Sequence, residues 1–291
     1  MKKQIKSKKL FFVLITEVDL FVLMITALVS KNKKNQPVVN KVALINPDYI
    51  NKISNIQITE YDQNNIKQEI IISKQNNNWL GQSSSLSKDT YWPCDSQVLA
   101  NFIETYSSIT DLYKIGEKET SWESFSVDEE SSVCVSLSDY DGNILSKIYF
   151  GSQDTLTQRI AVRTWKSDIV YEVQDDIVTY LKTDSSFWAD PFIYPQCITD
   201  YSRRQSESLL RRGKLVNFDS SINVEERILK KDFENGAQAI FAIYKNNDDY
   251  IVQPFFTSGV LYDEQVKNTI SKINYCYSIS SWTYERLISD N

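Results

Sequence analysis

Leu10 through Ser30 is one run of mostly apolar residues, and no other stretch constrains the chain as strongly. A bilayer core takes roughly 20 apolar residues in helical form, and this run is that long. It predicts a transmembrane anchor over residues 10–30, preceded by a basic cytoplasmic tail over 1–9. Lys2, Lys3, Lys6, Lys8 and Lys9 precede the run, against Lys31, Lys33 and Lys34 just after it. That lysine bias places the N-terminus inside and the bulk outside the cytoplasm. The expected protein is therefore a single-pass component of the cytoplasmic membrane. A cleaved secretory signal is the rival reading. It asks for a shorter apolar core and small residues around the cut, whereas Thr26-Ala27-Leu28-Val29-Ser30 puts Leu28 or Ile25 at the critical position. No cysteine lies near residue 30, which excludes a lipoprotein signal.

Glu17 and Asp19 sit near the middle of that span. A central acid costs about 2.5 to 3.5 kcal/mol on insertion, and each Leu, Ile, Phe or Val returns about 0.3 to 0.6. Fourteen such residues lie between Leu10 and Val29, so gain and cost nearly balance. Intramembrane acids usually face a partner or a wet cavity. Glu17 and Asp19 are thus candidate contacts with the membrane part of a larger complex. The alternative is a lone helix with both acids protonated.

About 250 residues beyond the anchor suffice for two modest domains or one large one. A net charge of −6 and a pI near 5.0 argue against a nucleic-acid partner, which would call for a basic face. The chain has no histidine. That removes Ser-His-Asp and Cys-His catalysis and histidine-based zinc sites. No phosphate loop of the G-x-x-x-x-G-K form is present. Cys94, Cys134, Cys197 and Cys276 are widely spaced with no C-x-x-C pair, so zinc-finger and thioredoxin patterns are absent. Three disulfide pairings and free buried thiols remain open. The expectation is no cofactor and no metal.

Residues 31–41 read as a polar tether. Ile53 to Glu60 and Ile66 to Lys74 alternate as strands, and Asn76-Asn77-Asn78 marks a turn before Trp79-Leu80. Asp95 is a good helix N-cap, with Val98, Leu99, Phe102, Ile103 and Tyr106 following at helical spacing. Val133 to Gly151 is a hairpin around Asp141-Gly142. Its Asp139-Tyr140-Asp141-Gly142-Asn143 superficially suggests a calcium loop, but the glycine is fourth rather than sixth. Gln158 to Trp165 and Asp168 to Val173 form another strand pair, and Asp175 opens a short helix over 176–181. Trp188, Pro191 and Pro195 fall at a module boundary. The next segment holds Arg203, Arg204, Arg211 and Arg212, a candidate contact for an anionic partner or a plain solvated face.

The C-terminal part echoes the first module. Ile70 to Lys74, an Asn-rich turn, Trp79-Leu80 and the helix with Asp95, Val98 and Phe102 are matched by Ile240 to Lys245, Asn246 to Asp249, Tyr250 to Val252 and a helix with Asp263, Val266 and Ile270. The expected fold class is α+β: an N-terminal transmembrane helix, then antiparallel sheets with a few helices packed on one side. It divides into a first α+β module over 42–195, a connector over 196–213 and a second, repeat-like α+β module over 214–291.

Several of these stretches resemble a known family. They are Asp48-Tyr49-Ile50-Asn51-Lys52-Ile53-Ser54-Asn55-Ile56 with the following Trp79, Asp95-Ser96-Gln97-Val98-Leu99-Ala100-Asn101-Phe102, and Phe125-Ser126-Val127-Asp128. To these add the Asp141-Gly142 hairpin ending in Phe150-Gly151, and Ile169-Val170-Tyr171-Glu172-Val173. The pattern resembles the bacterial domain of unknown function 4340 family over roughly residues 42 to 195. The resemblance implies a membrane-anchored auxiliary protein beside gliding-motility-type ABC transporters, with no catalytic residues.

Three functions follow in order of preference. The first is a non-enzymatic, membrane-anchored extracytoplasmic accessory or scaffold subunit of an ABC-type transport complex. The second is a binder of envelope glycans or small ligands, with Trp122, Trp165 or Trp188 stacking on sugars. The third is a carboxylate-pair hydrolase, for which Asp175-Asp176 and Asp248-Asp249 are the adjacent acids.

Overall fold

The computed structural model of the chain describes residues 39–75, 78–198, 210–219, 225–233, 236–257 and 264–289. Residues 41–291 form one compact unit.

Period-two alternation dominates the sequence, and strands dominate the fold. In chain order they are β1 (Val39–Val42), β2 (Asn55–Tyr61), β3 (Lys67–Gln75), β4 (Asn78–Ser83), β5 (Trp92–Pro93), β6 (Thr110–Gly116), β7 (Val133–Ser138) and β8 (Ile144–Gln153). Then come β9 (Ile160–Thr164), β10 (Val170–Val173), β11 (Leu215–Val216), β12 (Glu225–Asp232), β13 (Gln238–Asn246), β14 (Asp249–Thr257) and β15 (Cys276–Ser280). The helices are α1 (Ser96–Ser107), α2 (Ser185–Trp188), α3 (Glu264–Lys272) and α4 (Ser281–Ser289), with short 3-10 turns between strands.

A larger sheet runs β1-β6-β10-β9-β8-β7-β2-β3-β4-β5, and a smaller one β11-β15-β14-β13-β12. From β6 to β5 every neighbouring pair is antiparallel. In the centre, Ile56 faces Ile72 and Ile58 faces Ile70, all four fully buried. Directly opposed β-branched side chains of this kind are the unit of sheet stability. The β7–β8 hairpin closes as its sequence predicts. Asp139 Oδ1 accepts from the backbone N–H of Asp141 and Asn143, its Oδ2 accepts from Asn143 Nδ2, and Gly142 takes φ 83°. Asp139 is therefore spent on the turn rather than on a cation.

Helix α1 begins where the cap signal places it. Asp95 Oδ1 accepts from the N–H of Gln97 at 2.9 Å and of Val98 at 3.4 Å. Leu99, Phe102 and Tyr106 make its buried stripe. Phe102 and Tyr106 lie 4.5 Å apart by ring centroid and meet Tyr180, Trp188 and Phe150 at 5.7 to 6.3 Å. This aromatic layer covers one face of the larger sheet. The segment expected as a module boundary lies inside the core: Trp188 and Ile193 are fully buried, and Tyr194 packs on Phe233 and Phe241 of the smaller-sheet region.

Two expectations are corrected. The described residues do not form the mixed α+β arrangement expected. They are mostly antiparallel sheet, because alternation runs through nearly every element and α1 is the longest helix among the described residues. The hairpin-then-helix order does occur twice, as β3–β4 before α1 and β13–β14 before α3, but the helices serve as covers on sheets. The expected location in the cytoplasmic membrane also falls. No helix among the described residues is long and apolar enough to cross a bilayer. The run over residues 10–30 lies outside the described residues.

Candidate functional site

Strands β7 to β10 are apolar on both faces. Val135, Ile148, Phe150 and Val162 point to the α1 side, while Tyr149, Ala161 and Val170 point to the opposite face with Val127 of a crossing segment. That second face is covered because β6 and β7 are sequential but lie on either side of β10, β9 and β8. The connection over residues 117–132 must cross those three strands. It does so as two 3-10 turns, Glu119–Ser121 and Glu123–Phe125, with Trp122 between them. Ser126 then turns back in the left-handed region at φ 54°, and Val127 N–H returns to the Trp122 carbonyl at 2.9 Å. The crossover sits so close to β8 that a methyl group at Gly151 would collide with the Phe125 carbonyl oxygen. Only glycine lets the two backbones approach this far.

The seat of the crossover is Arg163 on β9. It is opposite Tyr149 in the strand register and only 3% exposed. Its guanidinium carbon lies 3.7 Å from the Trp122 ring centroid and 4.0 Å from that of Tyr149, a sandwich of cation–π contacts. Nε donates to the Val127 carbonyl at 3.0 Å. Nη2 is enclosed and has no hydrogen-bond partner among the described residues. No carboxylate among the described residues lies within ion-pair distance of Arg163.

Above Arg163 is an open groove of about 890 Å³. Its aromatic surface comes from Trp122 and from Trp165, which is 39% exposed and whose backbone N–H donates to the Lys147 carbonyl at 2.7 Å. Lys166, left-handed at φ 64°, lays its Nζ 4.0 Å from the Trp165 ring centroid. Exposed Glu119, Glu123, Glu130 and Asp168 rim the groove. Two further carboxylates are already engaged. Asp128 accepts from the Ser131 hydroxyl and from the N–H of Glu130 and Ser131, and these bonds outweigh its burial and hold its carboxyl below the usual range. Glu129 accepts from the Tyr149 hydroxyl at 2.9 Å and lies 3.7 Å from Lys147 Nζ. Burial, with help from Glu129, pushes the Tyr149 hydroxyl up, so it remains a donor at neutral pH. Among the described residues no cluster of acids or thiols is arranged to hold a metal.

The sequence candidates distribute unevenly. Trp122 and Trp165 come together in this groove. Trp188 is fully buried, with its indole N–H donated to the Lys182 carbonyl at 2.7 Å. Arg212 is a structural clamp, donating to the carbonyls of Ser186, Ala189, Asp190 and Gly213 at 2.6 to 3.1 Å. Arg211 lies over Phe192 with its guanidinium carbon 5.5 Å from the ring centroid. Arg203, Arg204, Glu17, Asp19 and Asp263 lie outside the described residues. The four cysteines are free thiols. Asp176 is bonded to the N–H of Ile177, Asp249 opens β14, and neither lines the groove. Sequence reading missed Arg163 and Tyr149. The available signal was a pair of unbroken apolar runs, Ile148-Tyr149-Phe150 and Ile160-Ala161-Val162, which mark strands covered on both sides.

No protein-family model, curated protein or solved structure matches this chain. Function is therefore argued from the groove.

Proposed function

We propose that this chain is a β-sheet binding module without catalytic activity, and that the groove between the crossover and strands β8 and β9 is its ligand site. The observation that carries this reading is Arg163: a buried guanidinium held in a fixed plane by two rings, one of whose N–H groups has nothing to donate to. Leaving such a donor unmade costs on the order of 1–3 kcal/mol, and a buried group left so calls for an explanation. Trp165 adds exposed flat surface beside it, and the volume is that of a small-molecule site.

Hydrolysis is the weaker reading of the same acids. Carboxylate-pair catalysis needs one acid kept protonated and a second free to attack or to activate water. Asp128 is held ionised by its own turn, and Glu129 is occupied by Tyr149. The resemblance to auxiliary proteins of ABC-type transporters fits a module of this class. In such an assembly it would contribute recognition as an accessory subunit, leaving the chemistry to other components.

A thermal-shift screen of small polar compounds against the wild type and Trp165→Ala tests the proposal. A compound that raises the wild-type melting temperature and leaves the variant unmoved is the expected result. A screen in which every stabilising compound acts equally on both proteins, or in which the bound compound is turned over, overturns it.

A further inference from the structure

Resting on that binding role, we infer that the groove takes an uncharged saccharide, with a ring face on Trp165 and, once the side chains enclosing it part, one hydroxyl oxygen on Arg163 Nη2. Three features of the groove select among ligand classes. Nη2 needs an acceptor, because a guanidinium donates at every nitrogen and accepts at none. The rim needs donors, because Glu119, Glu123, Glu130 and Asp168 present carboxylates around the opening. The flat indole of Trp165 needs an apolar face.

An anionic ligand satisfies Arg163 but must pass and sit beside four rim carboxylates, a like-charge arrangement that costs binding. A cationic ligand satisfies the rim but brings a second positive charge toward Arg163, and an ammonium offers Nη2 no acceptor. A sugar hydroxyl meets both demands at once, since its oxygen accepts while its hydrogen is donated. The C–H face of a pyranose is the apolar surface that lies flat on an indole. The groove's 890 Å³ is near the upper end of ordinary small-ligand sites, which leaves room for more than one sugar ring. Lys166 covers the Trp165 ring from an exposed position, so it is the side chain that gives way when a sugar ring docks there.

Isothermal titration of the full chain tests this with five probes: cellotriose, maltotriose and triacetylchitotriose as neutral saccharides, trigalacturonate as an anionic one, and trilysine as a cation. Saturable binding of at least one neutral trisaccharide is expected, weakened tenfold or more by Trp165→Ala, with trigalacturonate and trilysine silent. Arg163→Met is expected to abolish the same signal. Trp165→Ala, at an exposed position, keeps the test decisive should the buried substitution impair folding. Trp165-dependent binding of trilysine or trigalacturonate instead would overturn the saccharide assignment while leaving the binding role intact. Silence from all three neutral sugars, or neutral binding indifferent to Trp165→Ala, also overturns it. The binding role itself is judged separately by the thermal-shift screen.

Discussion

The two faces of strands β7 to β10 are built from alternate residues of the same sequence, yet they are finished differently. The α1 face is closed by a capped helix and an aromatic layer of Phe102, Tyr106, Tyr180 and Trp188. The opposite face is closed by an irregular crossover that traps Arg163 between Trp122 and Tyr149. The first surface is all packing, and every large ring in it has ring neighbours. The second holds a buried charge with an unspent donor at the base of a groove. Close packing gives stability, whereas a strained or incompletely bonded cover marks where a protein meets something else.

This contrast can be broken by experiment. The largest effect belongs to the packed face. Phe102→Ala removes a fully buried ring and is expected to cost about 3–5 kcal/mol in urea unfolding. A cost near 1 kcal/mol would mean that the α1 face is not the main core. On the groove face, burial raises the Cys134 thiol from 9.0 to about 11, with Lys147 opposing the shift. Folding thus favours the neutral thiol, so the contribution is whole below pH 9 and is lost as the pH climbs from 9 toward 11. Wild type is expected to lose on the order of 2 kcal/mol relative to Cys134→Ala over that window, read from unfolding midpoints at pH 7.5 and 10.5. The smallest effect is the sharpest. Arg163→Met keeps the volume and removes the charge; it relieves the unmade hydrogen bond at Nη2 and gives up the one from Nε to the Val127 carbonyl. Its stability is expected to stay within about 1.5 kcal/mol of wild type. A loss as large as that of Phe102→Ala would make Arg163 a structural member of the core and leave the groove without its defining feature.

What could be read from the sequence divides along the same line. Strands β2, β3, β7 and β8, the turn at Asp139 to Asn143 and the start of α1 at Asp95 were all legible, because alternation and capping are local. Trp122 and Trp165 were legible as candidate stacking residues, and their meeting was not. It depends on β6 and β7 being separated in space by β10, β9 and β8, a long-range pairing that no window of sequence reports. Arg163 was hidden for a related reason. On a strand with one wet face, an arginine alternating with Ile160 and Val162 points to solvent, and only the crossover turns that face into an interior. The apolar run behind the membrane expectation lies outside the described residues. The α+β expectation gave α1 and its C-terminal echo the same standing as the strands beneath them.

Arg212 has a consequence for how the molecule comes apart. Its guanidinium gathers carbonyls from both ends of the stretch between Ser186 and Gly213. Gly213 in turn donates its N–H to the carbonyl of Ser278 in β15 of the smaller sheet. One side chain thus fastens α2 and the residues just after it to the approach to the smaller sheet, so loosening that seam strips four acceptors from the same charge.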